Sequence, residues 1–304
     1  MKQTNNAIKF LMAQYRAIFK NANIAMVAAM VASALAAGQA QAALTFGTSA
    51  DAATPSATVS GAETLDGKGS YINELIIANK GNVTFDGSSG GTSFHIAVSD
   101  TLSVLSGGSL TLKGKVGTSN DGAGWGVTGT FVTDDFSNAN STLNVDGGSV
   151  NVVGSQIQMS NVILNNAKVT LETNFADGNG KNSDFADNSQ INAVVNNTGA
   201  GLFTVSGKDT DIKLNTGSIL NAKTFNLDGG KITMTSTPTE GEAAIIRAYG
   251  GGVVNLNGVD ITTAGSGNYI GAEGGINMKS GSITIADQSV LHLTGKLDKE
   301  KNLA

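Results

Sequence analysis

The side chains that could carry chemistry in this sequence are few and scattered. Asp134-Asp135, Asp184 with Asp187, and Asp209 with Asp211 are carboxylate pairs of the kind that glycosidic cleavage uses when folding sets them a few ångströms apart. Each pair lies in a run of small polar residues, where an aspartate more often caps a solvated turn. The two histidines, His95 and His292, are distant in sequence and each sits in a strand-like alternation. A Ser-His-Asp relay or an imidazole metal site requires folding to bring one of them to carboxylates, and nothing in the spacing favours that. Asp177-Gly178-Asn179-Gly180-Lys181 opens like an oxygen-ligand loop but lacks the spacing and the bidentate Glu of an EF-hand. The chain has no cysteine, which excludes thiol catalysis, Cys-ligated zinc and disulfides together. The expectation is therefore no catalytic residue, no metal site and no cofactor.

Charge and the N-terminal segment bear on location and partners. Lys2, Lys9, Arg16 and Lys20 precede an uncharged run rich in Ala, Val and Met from Ile24 to Ala37, and Ala40-Gln41-Ala42 follows. Basic, then apolar, then Ala-x-Ala is the layout of a helical secretory signal, with Ala40 and Ala42 as the signal peptidase recognition residues. The apolar run is short for a bilayer span, so no integral membrane span is expected in the mature chain. Cleavage before Ala43 removes 4 of the 19 basic residues and none of the 24 acidic ones, leaving 15 − 24 = −9. An acidic, arginine-poor surface is a poor match for phosphate backbones, so nucleic acid is not an expected partner.

The elements that must position any site are repeats. Residues 143–152 read LNVDGGSVNV, 225–234 FNLDGGKITM, 276–285 INMKSGSITI and 162–171 VILNNAKVTL. Each places apolar residues seven positions apart across a small polar corner, so two short half-buried strands flank a bend. With 40 Gly, 2 Pro, 14 % charged residues and 40 % apolar residues, mostly as single alternating positions, the composition suits a long thin core with many corners. Units starting at Leu102, Leu143, Val162, Phe203, Phe225, Val254 and Ile276 are 41, 19, 41, 22, 29 and 22 residues apart. Those steps read as one or two coils of about 20 residues, which predicts about 13 coils and a rod roughly 60 Å long.

Hairpins joined by Gly-Gly turns are the competing architecture. The spacing survives where the corner is Asn166-Ala167, however, and Ala tolerates positive φ poorly, so a coil that bends while pairing with the coils above and below is preferred. The expected fold is all-β, a repetitive parallel β-helix, right-handed by analogy. The expected organisation is an extended signal peptide over 1–42, a leader or cap over 43–69, the β-solenoid over 70–297 and a polar tail over 298–304. Residues 114–140 break the rhythm and contain the only tryptophan, Trp125, followed by Asp134 and Asp135. They read either as a recognition loop carried on the scaffold or as a broader rung with Trp125 packed inward. Residues 175–188 form a second polar interruption.

The extended basic signal, the lack of cysteine and the Gly/Asn/Ser/Thr-rich coils together resemble the passenger region of autotransporter adhesins of Gram-negative bacteria, over most of residues 60–295. Haemagglutinin-like and some S-layer-like proteins share the pattern. The resemblance implies export to the cell surface or outer membrane, or secretion, and non-enzymatic binding to host glycans, matrix proteins or other cells. The final KLDKEKNLA lacks a terminal aromatic and no series of amphipathic membrane strands precedes it, so the chain reads as a truncated or split passenger, with a separate outer-membrane translocator, or as a surface protein retained another way. Two other readings stay open: a secreted carbohydrate-active β-helix enzyme, polysaccharide lyase or glycoside hydrolase, and a structural coat or self-association module.

Overall fold

Alternation over four or five residues gives each segment one apolar side, and a corner seven residues on turns the next segment's apolar side toward the same interior. The computed structural model describes residues 44–49, 51–65, 70–86, 96–114, 127–128, 141–172, 189–193, 201–236, 244–286 and 288–293. Every ladder between its strands is parallel. Leu143 lies between Leu102 and Val162, and the row runs on through Phe203, Phe225, Val254 and Ile276. Ala57 and Leu75 begin it, and we term this side face 1. Val150 lies likewise between Leu110 and Val169, continuing through Ile212, Ile232, Ile261 and Ile283 along face 2. Face 3 is carried by Ile157, Ile191, Leu220, Ile246, Ile270 and Leu291. A chain that visits faces 3, 1 and 2 in turn and returns one rung further along is a parallel β-helix. The expected all-β solenoid is the fold.

The inward rows fill one continuous core. Leu143, Val145 and Val152 are fully buried, as are their ladder neighbours Leu102, Val162, Phe203 and Phe225. Phe203 and Phe225, one rung apart, stack with ring centroids 5.1 Å apart and planes tilted by 32°. Burial of each Val or Leu side chain stabilises by roughly 1.5–3 kcal/mol, and here that burial comes mostly from the rungs on either side. Between faces, where the ladder breaks, buried serines take over the backbone groups. The Ser189 hydroxyl donates to the Glu172 carbonyl at 2.5 Å and accepts from the Gly154 N–H at 2.8 Å. One rung further, Ser218 donates to the Leu171 carbonyl at 2.8 Å.

The coil count differs from expectation. Eight successive pairings on face 1 join nine rungs among the described residues. At about 4.8 Å per rung they span roughly 40 Å. Leu102 pairs directly with Leu143, and Val162 directly with Phe203, so each 41-residue step is one coil with added chain, not two coils. A repeat period measured from unit starts does not separate these cases, because an insertion of one coil's length mimics a coil.

The corner between faces 1 and 2 also differs from expectation in its turn chemistry, although the coil itself is the fold. The corner between faces 1 and 2 does demand a left-handed residue: φ is +70° at Gly147, +82° at Gly207, +85° at Gly229 and +77° at Gly258. In the Asn166-Ala167 corner that position is taken by Asn166, at φ +46°, and Ala167 is simply the buried residue after it. Asparagine is among the few residues other than glycine that visit this region at modest cost. The residues before the first face 1 strand pack into the same core. Leu44 is buried in the core, the Phe46 ring lies 6.2 Å from that of Phe85, and Gly47 exchanges two antiparallel backbone hydrogen bonds with Tyr71.

If corner geometry governs position 166, Asn166→Gly will leave the urea unfolding midpoint nearly unchanged, whereas Asn166→Val will lower stability by roughly 1–2 kcal/mol. Equal losses in both variants would mean that the Asn166 side chain, not its backbone, holds the corner.

Candidate interaction surface

With the apolar rows turned inward, the alternate residues form three outward faces with a rung spacing of about 4.8 Å. On face 1 these residues lock one another into ladders. Asn255 donates from Nδ2 to Asn226 Oδ1 at 2.8 Å, and Asn277 donates to Asn255 Oδ1 at 2.9 Å. A second row, two residues along, links Asn165 to Asp146 at 2.8 Å and Asn257 to Asp228 at 2.8 Å, with the Ser206 and Ser280 hydroxyls donating to Asn165 and Asn257. These amides spend part of their hydrogen-bonding capacity along the rod, so face 1 is preorganised, polar and nearly uncharged.

Face 2 is charged in alternation. Lys168, Asp211, Lys231 and Asp260 are successive register partners, so opposite charges neighbour one another along the row. Asp209 and Asp211, the one proposed carboxylate pair among the described residues, each lie near a lysine: Lys208 to Asp209 at 3.7 Å and Lys213 to Asp211 at 3.9 Å. Exposed pairs at such distances contribute little to stability. On face 3 the Arg247 guanidinium lies 5.4 Å from the centre of the Tyr249 ring, a cation–π contact on the surface. Burial raises the Tyr249 pKa and the Arg247 charge partly offsets it, so the phenol stays neutral at physiological pH.

The corners are unequal, and that asymmetry is the feature most relevant to binding. The corner from face 1 to face 2 takes only a few residues in every coil. The longer connections flank face 3. Residues 66–69, 87–95, 115–126, 173–188 and 237–243 all join the end of a face 2 strand to the start of a face 3 strand. The stems of 115–126 and 173–188, distant in sequence, follow Lys113 and Glu172, which are two rungs apart through Val153. That places the stems about 10 Å apart on one edge of the solenoid. The strand Val127–Thr128, pairing with Ile96 and Ile157, pins the long insertion back to face 3 midway. Sequence reading located both interruptions but not their shared edge, because only strand register reveals it.

Ala40, Ala42, Trp125, Asp134 and Asp135 lie outside the described residues, as do His95, Asp177–Lys181, Asp184 and Asp187. Among the described residues, no group of three His, Cys, Asp or Glu is arranged to hold a metal ion. No helix among them is long and apolar enough to cross a membrane, which says nothing of strands. No protein-family model matches the chain, and neither a curated protein nor a solved structure matches it.

Glu74 is 8 % exposed at the register shift between Ile72 and Glu74 where faces 3 and 1 meet. Burial raises its pKa above the usual carboxylate value, and the nearby Asp100 charge raises it further. A raised carboxyl pKa favours the folded state while the group is protonated, and that contribution is lost as pH rises through the folded-state value. Glu74→Gln is therefore expected to raise the urea midpoint relative to the unaltered chain at pH 7, the gap closing on acidification below the ordinary Glu range. A gap that persists at acid pH would show that the carboxylate charge is not its cause.

Proposed function

We propose that this chain is an exported bacterial cell-surface protein, adhesin-like and non-enzymatic, whose β-solenoid is a rigid mount for recognition segments. The observation that carries the reading is that the long connections flank face 3: 115–126 and 173–188 leave the edge between faces 2 and 3, and 129–141 and 194–201 the edge between faces 3 and 1. Eight rung-to-rung pairings hold face 2 in register, so segments distant in sequence are held at spacings set by rung number. The partner class is host glycan, matrix protein or another cell's surface, with Trp125, Asp134 and Asp135 as the recognition residues of 115–140. Export through the N-terminal signal, with cleavage after Ala42, brings the protein to the outer membrane, where a separate translocator carries it across. The acidic mature sequence and the nearly uncharged amide ladders of face 1 support a partner recognised by hydrogen bonding and stacking instead of by a cation cluster. The surface distribution of aspartates supports the non-enzymatic reading over a carbohydrate-active one: Asp146, Asp211 and Asp228 sit at strand ends and Asp260 within the strand Ile245–Gly265, all on different rungs.

The test is adhesion of purified protein to immobilised matrix proteins and a glycan panel. Trp125→Ala and the double change Asp134→Ala with Asp135→Ala are expected to reduce retention at least tenfold while leaving the urea midpoint unchanged. Full retention by all these variants would remove the segment from the binding account, and release of oligosaccharides from the panel would establish an enzyme instead.

A further inference from the structure

Glu74 is a carboxyl that its surroundings do not answer. It is 92 % buried, since only 8 % of it is exposed, and among the described residues no hydrogen bond or ion pair reaches its carboxylate. The one charge acting on it is the like charge of Asp100. A register shift produces this meeting. Ile72 pairs with Val98 and Glu74 with Thr101, so Asn73 alone stands opposite the two residues Ser99 and Asp100. Bulges of this kind re-aim a side chain, and this one brings the Asp100 carboxylate beside Glu74 where faces 3 and 1 meet. The Ser99 hydroxyl donates to Asn73 Oδ1 at 2.8 Å, and the hydroxyl of the buried Thr101 donates to Asp100 Oδ1 at 3.4 Å. Carboxylate, amide and hydroxyl oxygens from two adjacent rungs thus lie together, and no lysine or arginine among the described residues pairs with either acid.

We infer that Glu74 and Asp100 bind a calcium ion, which ties the strand Ser70–Ile77 to the strand Ile96–Leu105. Three features select that ligand. The first is charge: two neighbouring carboxylates without a basic partner are matched by a divalent cation. The second is burial, because a charge taken out of water is costly unless it is paired or coordinates a metal, and the Glu74 carboxylate has no other partner. The third is donor type. The groups at this corner are oxygen donors with no imidazole or thiolate among them, the set of a hard cation and not of zinc or copper. Calcium accepts amide oxygens and water beside carboxylates, so Asn73 Oδ1 and solvent complete the shell and a third acidic group is not required. Magnesium demands a near-ideal octahedron and sheds its water reluctantly, which an irregular strand corner suits poorly. The site involves only the scaffold, and it stands whether or not residues 115–140 bind a partner.

The test is titration of the full chain with calcium chloride after chelator treatment, read by calorimetry and by the thermal unfolding midpoint. The expected result is a saturable site with a Kd of about 10⁻⁴–10⁻³ M, weakened about tenfold or more by Glu74→Gln or by Asp100→Asn. Asp209→Asn, at an exposed carboxylate elsewhere, is expected to leave it unchanged. Above the Kd the midpoint of the unaltered chain rises with the logarithm of calcium concentration. In chelator Glu74→Gln has the higher midpoint, and calcium closes the gap by raising that of the unaltered chain. No binding at millimolar calcium, binding that both variants retain, or an equal rise in midpoint with magnesium chloride would each overturn the inference.

Discussion

No rung of this molecule is stable by itself. Leu143 and Val145 are buried because Leu102 and Val104 lie on one side and Val162 and Leu164 on the other, and the same holds rung after rung. Stability is therefore additive along one dimension, with each coil contributing its contacts to its neighbours. In-register parallel pairing is the constraint behind everything else. It aligns apolar residues into inward rows, brings like residues to like heights on the outside and produces the asparagine ladders of face 1 as a consequence.

The same constraint explains why chain length can vary where it does. An inserted stretch is tolerated if the strands before and after it remain in register, and the connections next to face 3 meet that condition in coils whose lengths differ by a factor of two. The corner from face 1 to face 2 is more restricted. It is a few residues long, requires a left-handed residue at Gly147, Asn166, Gly207, Gly229 or Gly258, and sits against backbone oxygens of the preceding coil. At Gly148, for instance, an added Cβ would lie 2.6 Å from the Val104 carbonyl oxygen. The edge between faces 1 and 2 is thus fixed and the two edges beside face 3 are permissive, and the permissive ones are where recognition segments can accumulate.

Alternating strands and the seven-residue step across the corner were legible in the sequence because both are local: Leu143, Val145, Val150 and Val152 show which side is inward without knowledge of their partners. The partners themselves were not. Whether 41 residues make two coils or one depends on what Leu102 lies beside, a non-local fact with no signature in spacing. The positive φ of Asn166 was not legible, because asparagine also takes ordinary backbone angles and the buried Ala167 after it carries no turn signal. Of the candidate site, the interruptions at 114–140 and 175–188 were visible as broken periodicity. That 115–126 and 173–188 leave from one edge required the register of Lys113, Val153 and Glu172, and the perturbed carboxyl of Glu74 required its burial beside Asp100.

The long segments are insertions into single coils, so that distant parts of the chain share an edge. Thr111 and Lys213 face outward on face 2 and are joined by three successive pairings, through Asn151 and Thr170, across both long steps. The most direct measurement is an electron spin resonance distance between nitroxide labels on cysteines placed at these two positions. Three rungs put their backbones about 14 Å apart, whereas two coils per long step would put them about 24 Å apart. A distance distribution centred near the shorter value, once label length is allowed for, is the result expected. One centred near the longer value would contradict both the single-coil insertions and the shared edge on which the binding account rests.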